Sequence, residues 1–373
     1  MRIGFDAKRA FMNSSGLGNY SRTLIRSLID QFPENKYVAF TPGMKENLGK
    51  DLIESGKLKI ILPPQLMRSM LSSFWRSSFV SEDIRAEQLD IFHGLSNEIP
   101  KRIPAFTKKV VTIHDLIFLR HPEWYPFVDR NTYYRKSRRA CKQADAVVAV
   151  SEQTKKDIMY YFNTPAEKIH VIYQGVDTGF TPDADHEAIR NFKIKNNLPE
   201  KYILYVGTIE ERKDLLTLVK ALAELENMKL VVIGKRTSYA EIVESFIRSN
   251  NLESKIIFPG YVSSVELNLF YRAASVFVYP SLYEGFGIPI IEALSCGVPV
   301  VAAGNTALPE AGGPASLYFN PGDHRELAGK IKNVLYDELL RNKMISEGRL
   351  HVKQFSPGNT AAKMMALYIQ LTG

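Results

Sequence analysis

Two carboxylates flank a glycine turn in YEGFGIPIIEALSCGVP: Glu284 and Glu292, with seven residues between them. Gly285 and Gly287 permit backbone angles that residues with side chains resist, so the extended run ending at Tyr283 can turn tightly there. Pro289 suits a first helical turn, the helix runs on through Glu292, and Gly297 followed by Pro299 stops it. A helix that starts out of a glycine loop aims unpaired N–H groups and a positive dipole end outward, which makes a seat for phosphate. Glu284 falls just before that helix and Glu292 about one turn inside it, so both can face a ligand held over its start. Residues 279–313 are otherwise nearly devoid of charge, and ionised groups are rarely buried without a partner. A hydroxyl-rich molecule carrying phosphate, a nucleotide sugar, satisfies all of these groups at once. The competing reading is a strand–turn–helix packing unit whose glycines only allow close approach.

Other candidates sit where strand patterns end. YVGTIEERKDLL places Arg212 and Lys213 after a strand and before the next helix. Two cations at a helix start oppose its dipole, and an anionic ligand between them accounts for the choice. The alternative is a solvated pair among Glu210, Glu211 and Asp214. Gly16 and Gly18 follow the first strand and open its helix, either as a second set of amides for a diphosphate or as plain turn chemistry. His114 ends the strand VVTIH beside Asp115, a position that a satisfied core histidine also occupies.

The glycine turn with its Glu-x7-Glu spacing resembles the signature of retaining glycosyltransferases of the GT-B fold, the group 1 (family 4) glycosyltransferases, well over the C-terminal half and more thinly over the N-terminal half. The resemblance implies an α/β chain of two facing doubly wound Rossmann-like domains, with a C-terminal helix crossing back to the first. It gives Glu284 to the sugar hydroxyls, Glu292 to the ribose, and the amides of Gly285, Phe286, Gly287 and Ile288 to the sugar and distal phosphate. It gives Arg212 and Lys213 to the diphosphate and its growing negative charge. Gly16 and Gly18 then contact donor phosphates or acceptor, and His114 reaches toward the sugar. Thr306 and Leu308, with Asn305, fall near the phosphate, and Val262 in Gly260-Tyr261-Val262 falls near the base. Some relatives carry an arginine directly after the Val-Gly, where this chain has Thr208. The implied reaction is hexosyl transfer, with mannosyl the first choice, from a nucleoside-diphosphate sugar to a glycan or lipid-linked acceptor. Retention comes from the resemblance, and no nucleophile of a double displacement is visible. A nucleotide-sugar epimerase or a binding module that turns nothing over would share the donor cleft; a phosphorylase would need a pyridoxal lysine motif, which is absent.

At 373 residues, with 45% hydrophobic and 24% charged residues, the chain has material for two soluble domains. Cys141 and Cys296 lie far apart and form no metal-ligand spacing, which fits a reducing compartment. The start MRIGFDAKRA enters a strand at once, so a cytoplasmic chain without a leader is expected, and no apolar run of about eighteen residues could span a bilayer. Asp183-Ala184-Asp185 is a literal Asp-x-Asp, but it follows Pro182 in a linker with no third ligand, so neither metal nor other cofactor is expected. The net charge of +8 invites an anionic partner. Arg135, Arg138, Arg139 and Lys142 fall at helical spacing as one basic stripe, and Met70, Leu71, Phe74, Trp75 and Phe79 mix with Arg68 and Arg76 upstream. That combination suits an anionic membrane surface, or else a solvated helix face and a packed aromatic loop. No nucleic-acid module accompanies the charge.

The supporting elements repeat as strand and helix. RIGFD, KLKIIL, DIFHG, KVVTIHDL and ADAVVAV are strands of a first unit; Leu17, Tyr20, Leu24, Leu28 and Phe32 form the apolar face of its first helix, and Ser151 caps a later one. KYILYVGT, MKLVVIG, KIIFPG, SVFVYP, VPVVAA and ASLYF are strands of a second, and only helical patterns follow Asp323. The expected domains are 1–175, joined by the helix 357–373, and 176–356.

Overall fold

Short runs rich in β-branched and aromatic residues pair in parallel throughout the described residues, 1–65, 75–76, 80–182 and 185–373 of a computed structural model. In the first unit, Met1–Gly175 with Phe355–Gly373, the strands are β1 (Arg2–Asp6), β2 (Lys36–Phe40), β3 (Leu58–Ile61), β4 (Ile91–Gly94), β5 (Lys108–Ile113), β6 (Ala146–Ala149) and β7 (Ile169–Val171). Their order is β3-β2-β1-β4-β5-β6-β7. The second unit, Val176–Gln354, contains β8 (Tyr202–Val206), β9 (Lys229–Ile233), β10 (Ile256–Ile257), β11 (Val276–Tyr279), β12 (Val300–Ala303) and β13 (Leu317–Phe319), in the order β10-β9-β8-β11-β12-β13. Each sheet is doubly wound, reversing direction once, between β1 and β4 and between β8 and β11. The central strands are buried along their length because helices cover both faces, so they read as continuous apolar runs.

The strand β2 is an addition to the sequence reading, which passes from the first helix directly to KLKIIL. Its five residues, KYVAF, begin with an exposed lysine and follow a polar turn, so the run carries little periodic signal of its own. Parallel pairing to β1 on one side and β3 on the other makes it a strand. A further short helix, Lys8–Met12, precedes the expected first helix, which spans Gly16–Gln31 and buries Tyr20, Leu24, Ile25, Leu28 and Ile29. Ser151 caps the helix Glu152–Phe162 by accepting from the Thr154 amide at 3.0 Å.

The last helix, Pro357–Thr372, opens on Ser356, which accepts from the Asn359 amide at 3.2 Å, and proline fits its first turn. Met364, Met365, Leu367 and Tyr368 enter the same core as Ile3, Phe5 and Leu24. A buried polar chain ties it to the sheet. His93 Nδ1 meets the Tyr368 hydroxyl at 2.6 Å, His93 Nε2 meets Thr112 Oγ1 at 2.8 Å, and the Tyr20 hydroxyl lies 3.1 Å from that same oxygen. Burial, with the nearby His114, pulls the His93 ring down to about 3, so it stays neutral and its two nitrogens divide donor and acceptor roles. Tyr368→Phe leaves a buried nitrogen of His93 without its partner, and the expected loss is about 1–3 kcal/mol in denaturant unfolding of the first unit; an unchanged midpoint would show that the chain of contacts adds nothing.

Candidate active site

Loops leaving β8 and β11 converge because these neighbouring strands mark the reversal of the second sheet, where an open parallel sheet leaves its crevice. β8 delivers Arg212 and Lys213 on a single 3₁₀ turn, Glu211–Lys213. Asp214 follows with φ of +46°, and its carboxylate accepts from the Thr217 amide at 3.4 Å to cap the helix Leu215–Ala223. This corrects the expectation of cations on a helix start: an acid holds the cap, as the dipole favours, and the two cations stand one turn before it.

β11 delivers Tyr279, Ser281 and Glu284. The turn then passes through Gly287 at φ +135°, where a Cβ would also crowd the Ala311 side chain at 3.0 Å. The helix Ile288–Ser295 begins there without a side-chain cap, with Pro289 in its first turn. Gly297, at φ +73°, lies just past its end.

Glu284 is 9% exposed and binds both cations. Its Oε1 is engaged by Lys213 Nζ and accepts from the Ser281 hydroxyl at 2.7 Å and the Tyr279 hydroxyl at 3.0 Å. Its Oε2 pairs with Arg212 Nη1 at 3.1 Å. Arg212 also donates to the Tyr283 carbonyl at 2.8 Å and to the Glu210 carboxylate at 2.6 Å, and Lys213 donates to the Tyr279 hydroxyl at 2.6 Å. The solvated-pair reading therefore fails, since the Lys213 side chain is only 12% exposed. Burial by itself pushes the Glu284 carboxyl up, but Arg212 and then Lys213 outweigh it and hold the group at about 2. Burial likewise lowers Lys213, with Glu284 opposing. Glu284 is thus ionised at any physiological pH and is no proton donor.

Glu292 lies one turn into the helix and accepts from the Tyr271 hydroxyl at 2.9 Å. No cation offsets its burial, which pushes the carboxyl up to about 7, relieved in part by Tyr271 and reinforced by Asp177. Thr306 holds a left-handed φ of +55°, and its hydroxyl accepts from the Glu284 amide at 3.4 Å, while Asn305 donates to the Leu282 carbonyl. Such strain in a threonine persists only where the surroundings enforce it. Leu308 is fully buried at the start of the helix Leu308–Gly312 and packs beneath Gly287. Val262 follows β10, two strands from β8 along the same sheet, and is partly exposed.

The first unit holds the remaining candidates. Gly18 is required by packing, since a Cβ would collide with the Asn13 carbonyl, whereas a Cβ on Gly16 would meet nothing within 4 Å. His114 is buried, with Nε2 at 2.8 Å from the Leu95 carbonyl and Nδ1 at 2.9 Å from Gln174 Nε2, and its ring edge meets Tyr20. Burial outweighs the Leu95 contact and lowers the ring to about 4, so it is neutral. The upstream aromatic loop is not a lipid-facing surface where it is described: Trp75 is 1% exposed and donates to Asp83 at 3.0 Å, and Arg76 is bound to Asp6 and Glu98. Arg68, Met70, Leu71, Phe74 and Phe79 lie outside the described residues, as does Asp183 of the Asp-x-Asp. Asp185 caps the helix His186–Lys195. On the helix Phe127–Gln143, Arg135, Arg138 and Lys142 are exposed while Arg139 turns inward to the Ile99 carbonyl. Among the described residues there is no cluster of three or more potential metal ligands, and no helix is long and apolar enough to cross a membrane.

Tyr279, Ser281 and Tyr271 were not legible as site residues. Each reads as part of an apolar strand or helix, and the signal that marks them, a buried hydroxyl needing a partner, appears only once Glu284 and Glu292 are placed.

Residues 187–351 match the family described as "Glycosyl transferases group 1", and residues 14–180 match "Glycosyltransferase Family 4". The chain is 28% identical over 382 residues to the O-antigen chain mannosyltransferase B of Escherichia coli, covering 99% of each. It is 31% identical over 287 residues to the serotype-specific mannosyltransferase WbdA of Escherichia coli, covering 73% of this chain and 35% of WbdA. Among solved structures, Anabaena HepE in complex with UDP-glucose matches with a TM-score of 0.77 at 17% identity, covering 99% of this chain and 100% of HepE. The sucrose-phosphate synthase of Thermosynechococcus elongatus matches with a TM-score of 0.76 at 22% identity, covering 100% and 99%; at such identities both likenesses bear on fold. Two Rossmann-like sheets, a charged crevice at the reversal of the second, and family matches over both halves lead to one conclusion: the chain is a glycosyltransferase and belongs to the group 1 family, with the GT-B fold.

Proposed function

We propose that the chain moves a hexosyl group, mannosyl first among the candidates, from a nucleoside-diphosphate sugar to a glycan or lipid-linked acceptor, with retention and without a metal. The observation that carries this reading is the buried Arg212–Glu284–Lys213 cluster beside the uncapped start of the helix Ile288–Ser295. The mannosyltransferase names of the Escherichia coli relatives support the sugar, and the UDP-glucose held by HepE supports the donor class.

Cleavage of a glycosyl–diphosphate bond sends negative charge onto the phosphate while positive charge grows on the sugar. Arg212, Lys213 and the helix start, with the amides of Gly285, Phe286, Gly287 and Ile288, serve the leaving phosphate and take the neutralising part that a metal plays elsewhere. Glu284, ionised and fixed by four partners, orients the sugar hydroxyls rather than delivering a proton. Glu292 takes the ribose hydroxyls. Neutral His114 adds no positive charge to a sugar that is itself becoming cationic. Gly16 offers an amide to donor or acceptor phosphate, Thr306 and Leu308 shape the phosphate loop, and Val262 contacts the base. The exposed Arg135, Arg138 and Lys142, with Phe127 and Val128 at 67% and 73% exposure on the same helix, suit peripheral docking on an anionic membrane surface.

Arg212→Ala or Lys213→Ala is expected to lower turnover about 10²- to 10³-fold in an assay of nucleotide release with donor and acceptor; near-normal rates in both variants would remove the pair from the chemistry. Donor affinity is expected to rise about tenfold from pH 6 to 8, because ribose hydroxyls favour the ionised Glu292 carboxylate and binding must displace its proton at low pH. In the free protein the same shift has the opposite sign: its stability contribution is full below the ordinary 4.5 and is lost as pH climbs through about 7. Calorimetry with an intact nucleoside-diphosphate sugar, whose phosphates do not titrate in that range, checks the first effect; a flat wild-type profile, or an unaltered one in Glu292→Gln, counts against the ribose assignment. Sedimentation with anionic vesicles should be strong at low salt and weak at high salt, and Arg135→Gln with Arg138→Gln should abolish it if the stripe is the contact.

A further inference from the structure

The first unit carries a cavity of about 610 Å³ whose position follows from its topology. Asp6 ends β1 and residues 96–98 follow β4, the two strands at which this sheet reverses. Six cationic side chains line it against three carboxylates. The carboxylates are already engaged. Arg76 binds Asp6 at 2.8 Å and also pairs with Glu98, whose second oxygen takes Lys136 at 3.1 Å. Asp115 accepts from the Ile117 amide at 3.3 Å.

Four cations are left over: Lys8, Arg9, Lys101 and Arg139 have no carboxylate partner among the described residues. Arg139 goes further, since its Nε is buried with no hydrogen-bond partner while Nη2 reaches the Ile99 carbonyl at 3.3 Å. A buried charged donor with nothing to donate to costs free energy, and an arriving acceptor would recover it. In the same lining, Phe118 and Tyr133 stack edge to face at 5.7 Å, and both lie 6.4 Å from Tyr125. Such a wall offers apolar surface to the C–H face of a sugar.

We propose that this cavity takes an acceptor sugar bearing an anionic substituent, a phosphoryl ester or a carboxylate, with Arg139, Lys8 and Arg9 on the charge and the aromatic wall on the ring. It rests on the transferase reading above, in which the second unit holds the donor, and it adds the chemical class of the acceptor. Surplus cations select an anion, and charge-assisted hydrogen bonds from guanidinium groups fit either oxyanion.

The test is calorimetry on the full chain with excess GDP or UDP present, so that no anionic probe enters the donor site. Three probes are compared: mannose 1-phosphate, glucuronic acid and neutral methyl mannoside. At least one charged probe should bind tenfold or more tightly than the neutral one, and Arg139→Gln and Lys8→Gln should each cut that preference about fivefold. A stronger phosphate arm assigns a phosphoryl-linked acceptor, and a stronger carboxylate arm assigns an acidic glycan. Equal affinity for all three probes, or a preference untouched by the substitutions, overturns the proposal. Lys101→Gln, at an exposed position, serves as the second variant if Arg139→Gln fails to fold, and should weaken charged probes only. Loss of GDP and UDP binding alone would strike the donor reading and leave the charge preference of the cavity standing.

Discussion

Two cations and one carboxylate share a buried corner at the reversal of the second sheet, and their charge balance dictates how that corner is built. Glu284 could not remain ionised there on desolvation grounds alone; Arg212 and Lys213 make it possible. Conversely, two cations one residue apart in a region this dry need an anion, and Glu284 supplies it in the free protein. With Glu210 paired to Arg212 at 2.6 Å, the two cations are matched by two carboxylates. A diphosphate arriving beside it meets cations already desolvated and held in place, so little reorganisation is left for the moment of bond cleavage.

Around this corner the surrounding elements serve one purpose, which is to hold side chains from distant parts of the chain at fixed separations. The 3₁₀ turn after β8 sets Arg212 and Lys213, Asp214 closes it, and the Leu282 amide binds the Arg212 carbonyl at 2.8 Å to lock one loop onto the other. Gly287 lets the second loop enter its helix beside Ala311. The first unit follows the same topological rule with a different outcome: at its sheet reversal the acids are matched internally, and unmatched cations face an open cavity.

How much of this the sequence disclosed depends on how local each feature is. The glycine turn, the helix with Pro289, the Glu-x7-Glu spacing and most strands of both units were legible because each is encoded within a dozen residues. Arg212 and Lys213 were legible as cations at a strand end, but their partner was not, since Glu284 lies 71 positions away. Tyr279 and Tyr271 are buried residues whose hydroxyls serve the two carboxylates, a role that no local pattern marks. β2 was lost because its identity comes from neighbours on both sides. Trp75 and Arg76 belong to a stretch read either as a lipid contact or as a packed aromatic loop, and they turn inward because Asp6, Glu98 and Asp83 meet them from other segments.

The final helix completes a unit begun at the first strand, so the second unit interrupts the first in the sequence. During translation β1 and its neighbours emerge early, yet His93 and the core around Leu24 lack the Tyr368 face until all of residues 176–354 have been made. The interrupting unit is one contiguous segment, complete at Gln354, just before the closing segment Phe355–Gly373 of the earlier one is made. A nascent chain therefore spends much of its synthesis with an apolar groove on its older half, and that half is where a chaperone would find its first hold.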